Sequence, residues 1–236
     1  MTEPGRAESA AALAQCPRLA AGEPFDFVCA GCGDCCRNRR DLVLSGYDLY
    51  RIARRLSLPP RLTADAFCKQ EFAPQTLLPA VVLRPNARTG NCPFFEADAC
   101  TIHAARPLAC ALYPLGQAID PATAAMEYYV QLPLCGARVS AQEQRTLQNY
   151  LDDAAITARA GIDARWAVVC TQLSDKLQQA GGRENPRYLP AARRIARALY
   201  FDYSIQDDFY PQFNANTQAL WPLLDKMLGD QPSAAR

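Results

Sequence analysis

Four cysteines fall within eight residues, Cys29, Cys32, Cys35 and Cys36 in the run CAGCGDCC, and four more follow at Cys92, Cys100, Cys110 and Cys135. Thiols at that density oxidise easily, and a thiolate needs a cation close by. A fold that keeps them must close around something soft that binds sulfur. The chain has eleven cysteines, and an odd number argues against a framework of structural disulfides. The expectation is a metal or iron–sulfur protein.

Three of the cysteines have simpler readings. Cys16 lies in an alanine-rich stretch with no apolar stripe, and Cys68 falls beside Phe67 and Phe72 on one face of an expected short helix. Cys170 sits on a helical core stripe with Val169, Leu173 and Leu177. Setting these aside leaves eight thiols, the number needed by two four-thiolate sites. Neighbouring residues of an extended chain point in opposite directions, so Cys35 and Cys36 are expected to serve different metals, to bridge, or to divide between ligand and support. The C-x2-C-x2-C spacing wraps three corners of a cubane in bacterial ferredoxins, with the fourth thiolate arriving from elsewhere, which favours an iron–sulfur cluster of the [4Fe–4S] type. Zinc sites more often use two separated C-x2-C knuckles, whereas the second segment spaces its cysteines by seven, nine and twenty-four intervening residues. Any four converging thiolates accept zinc, so zinc or iron ions stay open beside the cluster.

The one histidine, His103, lies between Cys100 and Cys110 in CTIHAARPLAC. Its neutral imidazole is a candidate metal ligand or a donor to a thiolate. A single histidine, with neither a Gly-x-Ser-x-Gly elbow nor a phosphate-binding glycine loop, moves the reading away from hydrolases and nucleotide enzymes. Arg37, Arg39 and Arg40 follow the first cluster and Arg106 lies inside the second segment. Four thiolates around a divalent ion leave about two net negative charges, which guanidinium groups offset.

A net charge of +1 over 236 residues gives no reason to expect nucleic acid. The first residues, MTEPGRAESAAALAQCPRLAAGEP, place charges where a signal peptide needs an apolar run, and no stretch of about 18 apolar residues occurs, so no membrane partner is expected. The compartment expected is the reducing cytoplasm. Residues 1–24 read as an N-terminal tail, 25–137 as the metal-binding domain and 138–236 as a helical extension packed on it. Ser45 and Asp48 form a capping box for a helix carrying Leu49, Ile52, Ala53 and Leu56, closed by Pro59 and Pro60. Thr63 is expected to cap the short helix with Phe67, Cys68 and Phe72. Leu78–Arg84 and Met126–Leu132 read as strands. Between them NCPFFEADACTIH reads as a hairpin and RPLACALYP as a helical turn bounded by prolines. A second capping box is expected at Ser140 and Glu143, then helices bearing Leu147, Leu151, Trp166, Val169, Leu173 and Leu177, and Leu220, Leu223, Leu224 and Met227. The fold class is α+β: helix-rich, with small strands around a cysteine-lined metal core and packed C-terminal helices.

FVCAGCGDCC from Phe27 to Cys36, followed by C-x-I-H-x-x-R-P-x-x-C-x-x-Y-P from Cys100 to Pro114, resembles the CxxCxxCC, or YkgJ-like, cysteine cluster family of zinc- or iron-chelating domains. The resemblance covers roughly residues 25–137. It implies Cys29, Cys32, Cys35, Cys36, Cys92, Cys100 and Cys110 as metal-site residues, Cys135 as a further one, and Arg106, Pro107, Tyr113 and Pro114 as supporting positions, with Arg106 and Tyr113 against the cofactor. Relatives often have arginine after the cysteine matching Cys110, where this chain has Ala111. The implied role is structural, carrier or redox, with metal ions and a protein partner or substrate as what it meets. The same module is similar to that of flagellin lysine N-methylases, which makes an iron–sulfur-dependent protein-modifying enzyme the alternative; no Rossmann-like segment or C-x3-C-x2-C loop accompanies it.

Overall fold

The computed structural model describes residues 15–27, 33, 36–37, 42–131 and 145–229. In chain order the elements are β1 (Arg18–Leu19), β2 (Val43–Leu44), α1 (Gly46–Leu56), α2 (Pro60–Phe67), β3 (Cys68–Phe72), β4 (Pro79–Leu83), β5 (Phe95–Glu96), β6 (Ala99–Cys100), α3 (Leu108–Leu112), β7 (Leu115–Ile119), β8 (Met126–Val130), α4 (Leu147–Asp153), α5 (Ala160–Gln179), α6 (Tyr188–Ala196) and α7 (Phe209–Leu228). A π turn, Arg197–Phe201, extends α6. This is the expected α+β class, with small antiparallel sheets and packed C-terminal helices. The described residues divide into two compact units, one drawn from 1–42 and 83–168, the other from 43–82 and 169–236. No helix among them is long and apolar enough to cross a membrane.

The second of these units is built on the sheet β2-β4-β3. Val43 pairs with Val82 and Leu44 with Val81, antiparallel. The Ser45–Asp48 capping box is present: each backbone N–H donates to the other residue's side chain at 3.1 Å. It starts α1, whose Leu49, Ile52 and Ala53 are buried. The expected helix capped by Thr63 is corrected. Pro60 occupies the first turn of α2, where its missing N–H costs nothing, and Thr63 lies inside the helix with its hydroxyl donating to the Pro59 carbonyl at 3.2 Å. Cys68–Phe72 is a strand, because pairing with β4 overrides the helical preference of Lys69, Gln70 and Glu71. Cys68 and Cys170 are both buried here. The stripe on α7 runs through Phe209, Phe213, Leu220, Leu224 and Leu228, whereas Leu223 is exposed. The Tyr203 hydroxyl donates to the Ala198 carbonyl at 2.6 Å, and burial pushes both the Tyr200 and Tyr203 phenols far up.

In the first unit β8 pairs with β7 on one side and β1 on the other, with Gly116 opposite Tyr129 and Tyr129 opposite Arg18. Strands β7 and β1 were not among the expected elements. Ser140 and Glu143 lie outside the described residues; a Thr146–Asn149 capping box starts α4. Phe25, Phe27, Leu112, Leu115, Leu147, Tyr150, Leu151 and Ile156 form one apolar cluster, with Tyr113 and Tyr128 packed against it. Arg159 and Asp163 form a bidentate pair at 2.7 and 2.8 Å, with side chains only 3% and 4% exposed. Such a pair is held by its own geometry: removing one partner strands a charge away from water. Asp163→Ala is expected to lower the unfolding free energy by about 3–5 kcal/mol, and Arg159→Met with Asp163→Leu to recover most of it. Urea titration checks this, and a single variant as stable as the parent would contradict it.

Candidate metal centre

Gly33 has φ +74°, a left-handed conformation that suits glycine. Its carbonyl accepts from the N–H groups of Cys36 (2.9 Å) and Arg37 (3.1 Å), which turns the chain so that Cys36 follows directly. A Cβ at position 33 would lie 2.4 and 2.5 Å from the Phe95 ring, so the backbone at Gly33 lies close against that aromatic side chain. Arg37 covers the same ring with its guanidinium 5.0 Å from the centroid and donates to Asp98 Oδ1 at 2.8 Å. Asp98 and Ala97 have φ of 58° and 45° at the tip of the β5–β6 hairpin, the mirror-image turn that matches strand twist.

The Cys92 N–H donates to the Cys36 carbonyl at 2.8 Å, and the Phe95 N–H to the Cys92 carbonyl at 3.1 Å. Phe95 then pairs with Cys100 across the hairpin. One short chain of backbone bonds therefore connects Cys36, Cys92 and Cys100. All three, and Cys110, are half-buried thiols. Cys110 lies in α3, which follows Pro107 as the RPLACALYP reading expected; the Cys110 and Ala111 N–H groups donate to the Pro107 carbonyl at 3.0 and 2.9 Å. Tyr150 braces this turn, its hydroxyl 2.8 Å from the carbonyls of both Ala111 and Tyr113.

His103 opens a 3-10 turn in front of α3. Arg106 Nη1 is 2.5 Å from His103 Nε2 and 3.4 Å from Nδ1. A guanidinium only donates, so Nε2 accepts and the ring is neutral. Burial, then the Arg106 charge, lowers the imidazole's proton affinity, which favours the same neutral form. A cavity of about 220 Å³ opens beside Cys110, with His103, Arg106, Tyr113, Phe27 and Arg145 among its walls.

Cys29, Cys32, Cys35 and Cys135 lie outside the described residues. Among the described residues no group of three or more His, Cys, Asp or Glu side chains is placed to hold a metal ion. The donors that are described fit zinc or iron by chemistry, being soft and partly shielded sulfurs. The supports from Gly33, Phe95, Asp98 and Tyr150 were not foreseen. Gly33, one of two glycines inside CAGCGDCC, was a usable signal for a close backbone approach, whereas nothing local marked Tyr150 as a partner of α3.

Residues 28–136 match the CxxCxxCC family model. That family is described as a "putative zinc- or iron-chelating domain", which agrees with the resemblance drawn from the two motifs. No curated protein and no solved structure matches the chain. The CxxCxxCC segment thus covers all eight clustered cysteines, together with His103, Arg106 and Tyr113, while Arg145 and Tyr150 lie beyond it.

Gly33→Ala is expected to destabilise the protein by more than about 1 kcal/mol, since both the backbone conformation and the Phe95 ring oppose a Cβ. Adding Phe95→Ala should relieve the steric part. Denaturant midpoints of the three chains check this, and an unchanged midpoint for Gly33→Ala would contradict the close approach.

Proposed function

We propose that this CxxCxxCC protein holds an iron–sulfur cluster of the [4Fe–4S] type through cysteine thiolates and serves a structural, carrier or redox role. Cys29, Cys32 and Cys35 supply three corners by their C-x2-C-x2-C spacing, and the fourth thiolate comes from the second segment, Cys92, Cys100, Cys110 or Cys135. The observation that carries this reading is the Cys92 N–H bond to the Cys36 carbonyl, which brings the end of CAGCGDCC against the second thiol segment. Cys36 is thereby drawn toward Cys92, which supports a division of labour between it and Cys35. Zinc or iron ions at the same thiolates form the second reading, favoured by the family's description.

When bound, the metal supplies strong polarisable bonds to sulfur, and in the cluster form a site for one electron. The chain's own residues do the rest. Arg37 and Arg106 offset the negative charge of the thiolates, and His103 in its neutral form engages Arg106 and so orients it. Tyr113 lines the cavity beside Cys110. The domain so defined runs over 25–137, and its thiols call for the reducing cytoplasm.

Cys32→Ser is expected to strip metal from the anaerobically purified protein, whereas Cys170→Ser, buried away from the clustered cysteines in sequence, should retain it. Metal per chain by elemental analysis reads both. Full metal content in both variants would contradict the division of the cysteines.

A further inference from the structure

From Arg187 to Arg197 every charged residue is an arginine: Arg187, Arg193, Arg194 and Arg197. Helix α6 buries Tyr188, Ala191, Ala192 and Ile195, and leaves Leu189, Arg193 and Arg194 exposed. Residues three apart share a helix face, so Arg194 stands beside Arg197 at the start of the π turn. Two of the four guanidiniums are engaged. Arg187 Nη1 donates to the Met227 carbonyl at 3.0 Å, and Arg197 Nε lies 3.2 Å from both carboxylate oxygens of Asp202. Arg193 and Arg194 have no hydrogen-bond, ion-pair or ring partner among the described residues. Asp225, the acid in the last turns of α7, is ion-paired with Lys176.

Arg194 and Arg197 line a groove of about 170 Å³ together with Asp202 and, from α7, Asn216, Leu220 and Leu223. Asn216 Nδ2 donates to the Asp202 carbonyl at 2.7 Å, which ties Asp202, and through it Arg197, to α7. Leu220 is buried, whereas Leu223 is 36% exposed. The lining thus sets two guanidiniums against one carboxylate, with aliphatic carbon beside them. A single exposed leucine is ordinary on a protein surface. What distinguishes this place is the conjunction of an unpaired guanidinium, an apolar wall and a recess. Arginine is enriched where binding energy concentrates, because apolar neighbours shield the pair that it forms.

We infer that the groove between α6 and α7 docks an acidic segment of a partner protein, with one apolar side chain of that segment resting on Leu220 and Leu223 and a carboxylate meeting the Arg194 guanidinium. Charge complementarity selects the class of partner. The planar fork of a guanidinium matches a carboxylate in two parallel hydrogen bonds, and Arg193 adds to the attraction that steers an acidic segment to this side. A recess receives a projecting side chain, which favours a protein segment over the flat anionic surface of a bilayer. The inference concerns the second unit alone and does not depend on metal at the cysteines.

The test is fluorescence anisotropy of a fluorescein-labelled peptide, glutamates on either side of one leucine, titrated with the full-length protein. The same peptide with glutamine for glutamate, and with serine for leucine, serves as control. Arg194→Gln and Leu223→Gln alter exposed side chains, and Lys69→Gln, an exposed cation of the same unit paired with Glu71, is the charge control. The acidic peptide should bind saturably and both control peptides more weakly. Arg194→Gln and Leu223→Gln should each weaken binding about tenfold or more, with unchanged circular dichroism, while Lys69→Gln stays close to the unaltered chain. Added salt should weaken the unaltered chain more than Arg194→Gln. An acidic peptide that does not bind would overturn the inference, as would equal affinity for the glutamine peptide. Equal effects of Arg194→Gln and Lys69→Gln would also overturn it, by reducing the attraction to diffuse charge. Binding to phosphatidylserine vesicles through Arg194, without binding to the peptide, would replace the protein partner with a membrane surface.

Discussion

A backbone hydrogen bond from the Cys92 N–H to the Cys36 carbonyl, at 2.8 Å, joins two thiol-bearing stretches that lie far apart in the sequence. A bond of this kind contributes only about 0.5–1.5 kcal/mol net, too little to gather thiols that repel one another once ionised. It persists because its surroundings favour it. Gly33 lies against Phe95, Arg37 closes over that ring and reaches Asp98, and the hairpin presents Cys100 in register with Phe95. These contacts organise the described thiols, Cys36, Cys92 and Cys100. In the function proposed above, most of the neutralisation comes from a bound metal, whose apparent binding free energy in a structural thiolate site, about 10–16 kcal/mol, matches or exceeds the whole stability of a typical domain, about 5–15 kcal/mol.

The aromatic cluster of the same unit connects this loop to the rest of the chain. Phe25 and Phe27 precede the cysteine run and meet Tyr150 edge-on, with ring centroids 5.0 and 6.0 Å away. Tyr150 in turn holds the carbonyls of Ala111 and Tyr113, on either side of the end of α3. Burying these rings supplies the driving force, and the hydroxyl turns that force into a position for Cys110. Helix α4 therefore positions the turn that carries Cys110, although it lies beyond the CxxCxxCC segment.

Much of this was legible in the residues themselves. The capping box at Ser45 and Asp48, the strands over Leu78–Arg84 and Met126–Leu132, and the proline-bounded turn at Cys110 all have local signals that the fold respects. What escaped was set by tertiary pairing. Cys68–Phe72 has a helix-compatible composition and becomes a strand because β4 offers a partner, and Arg18–Leu19 becomes one because β8 does. The clustered thiols stand out by their spacing as candidates, whereas the contacts around them had no such signal, because Phe95 over Gly33 and Tyr150 under α3 are contacts between distant residues with no pattern of their own.

The central claim is that the clustered cysteines bind metal as thiolates. The most direct measurement is iron, zinc and acid-labile sulfide per chain in protein purified without oxygen, taken with its visible spectrum. The account predicts a coloured protein with matched iron and sulfide; stoichiometric zinc without colour would keep the chelating site and remove the cluster. Protein that is folded, fully reduced and free of both metals would contradict the claim.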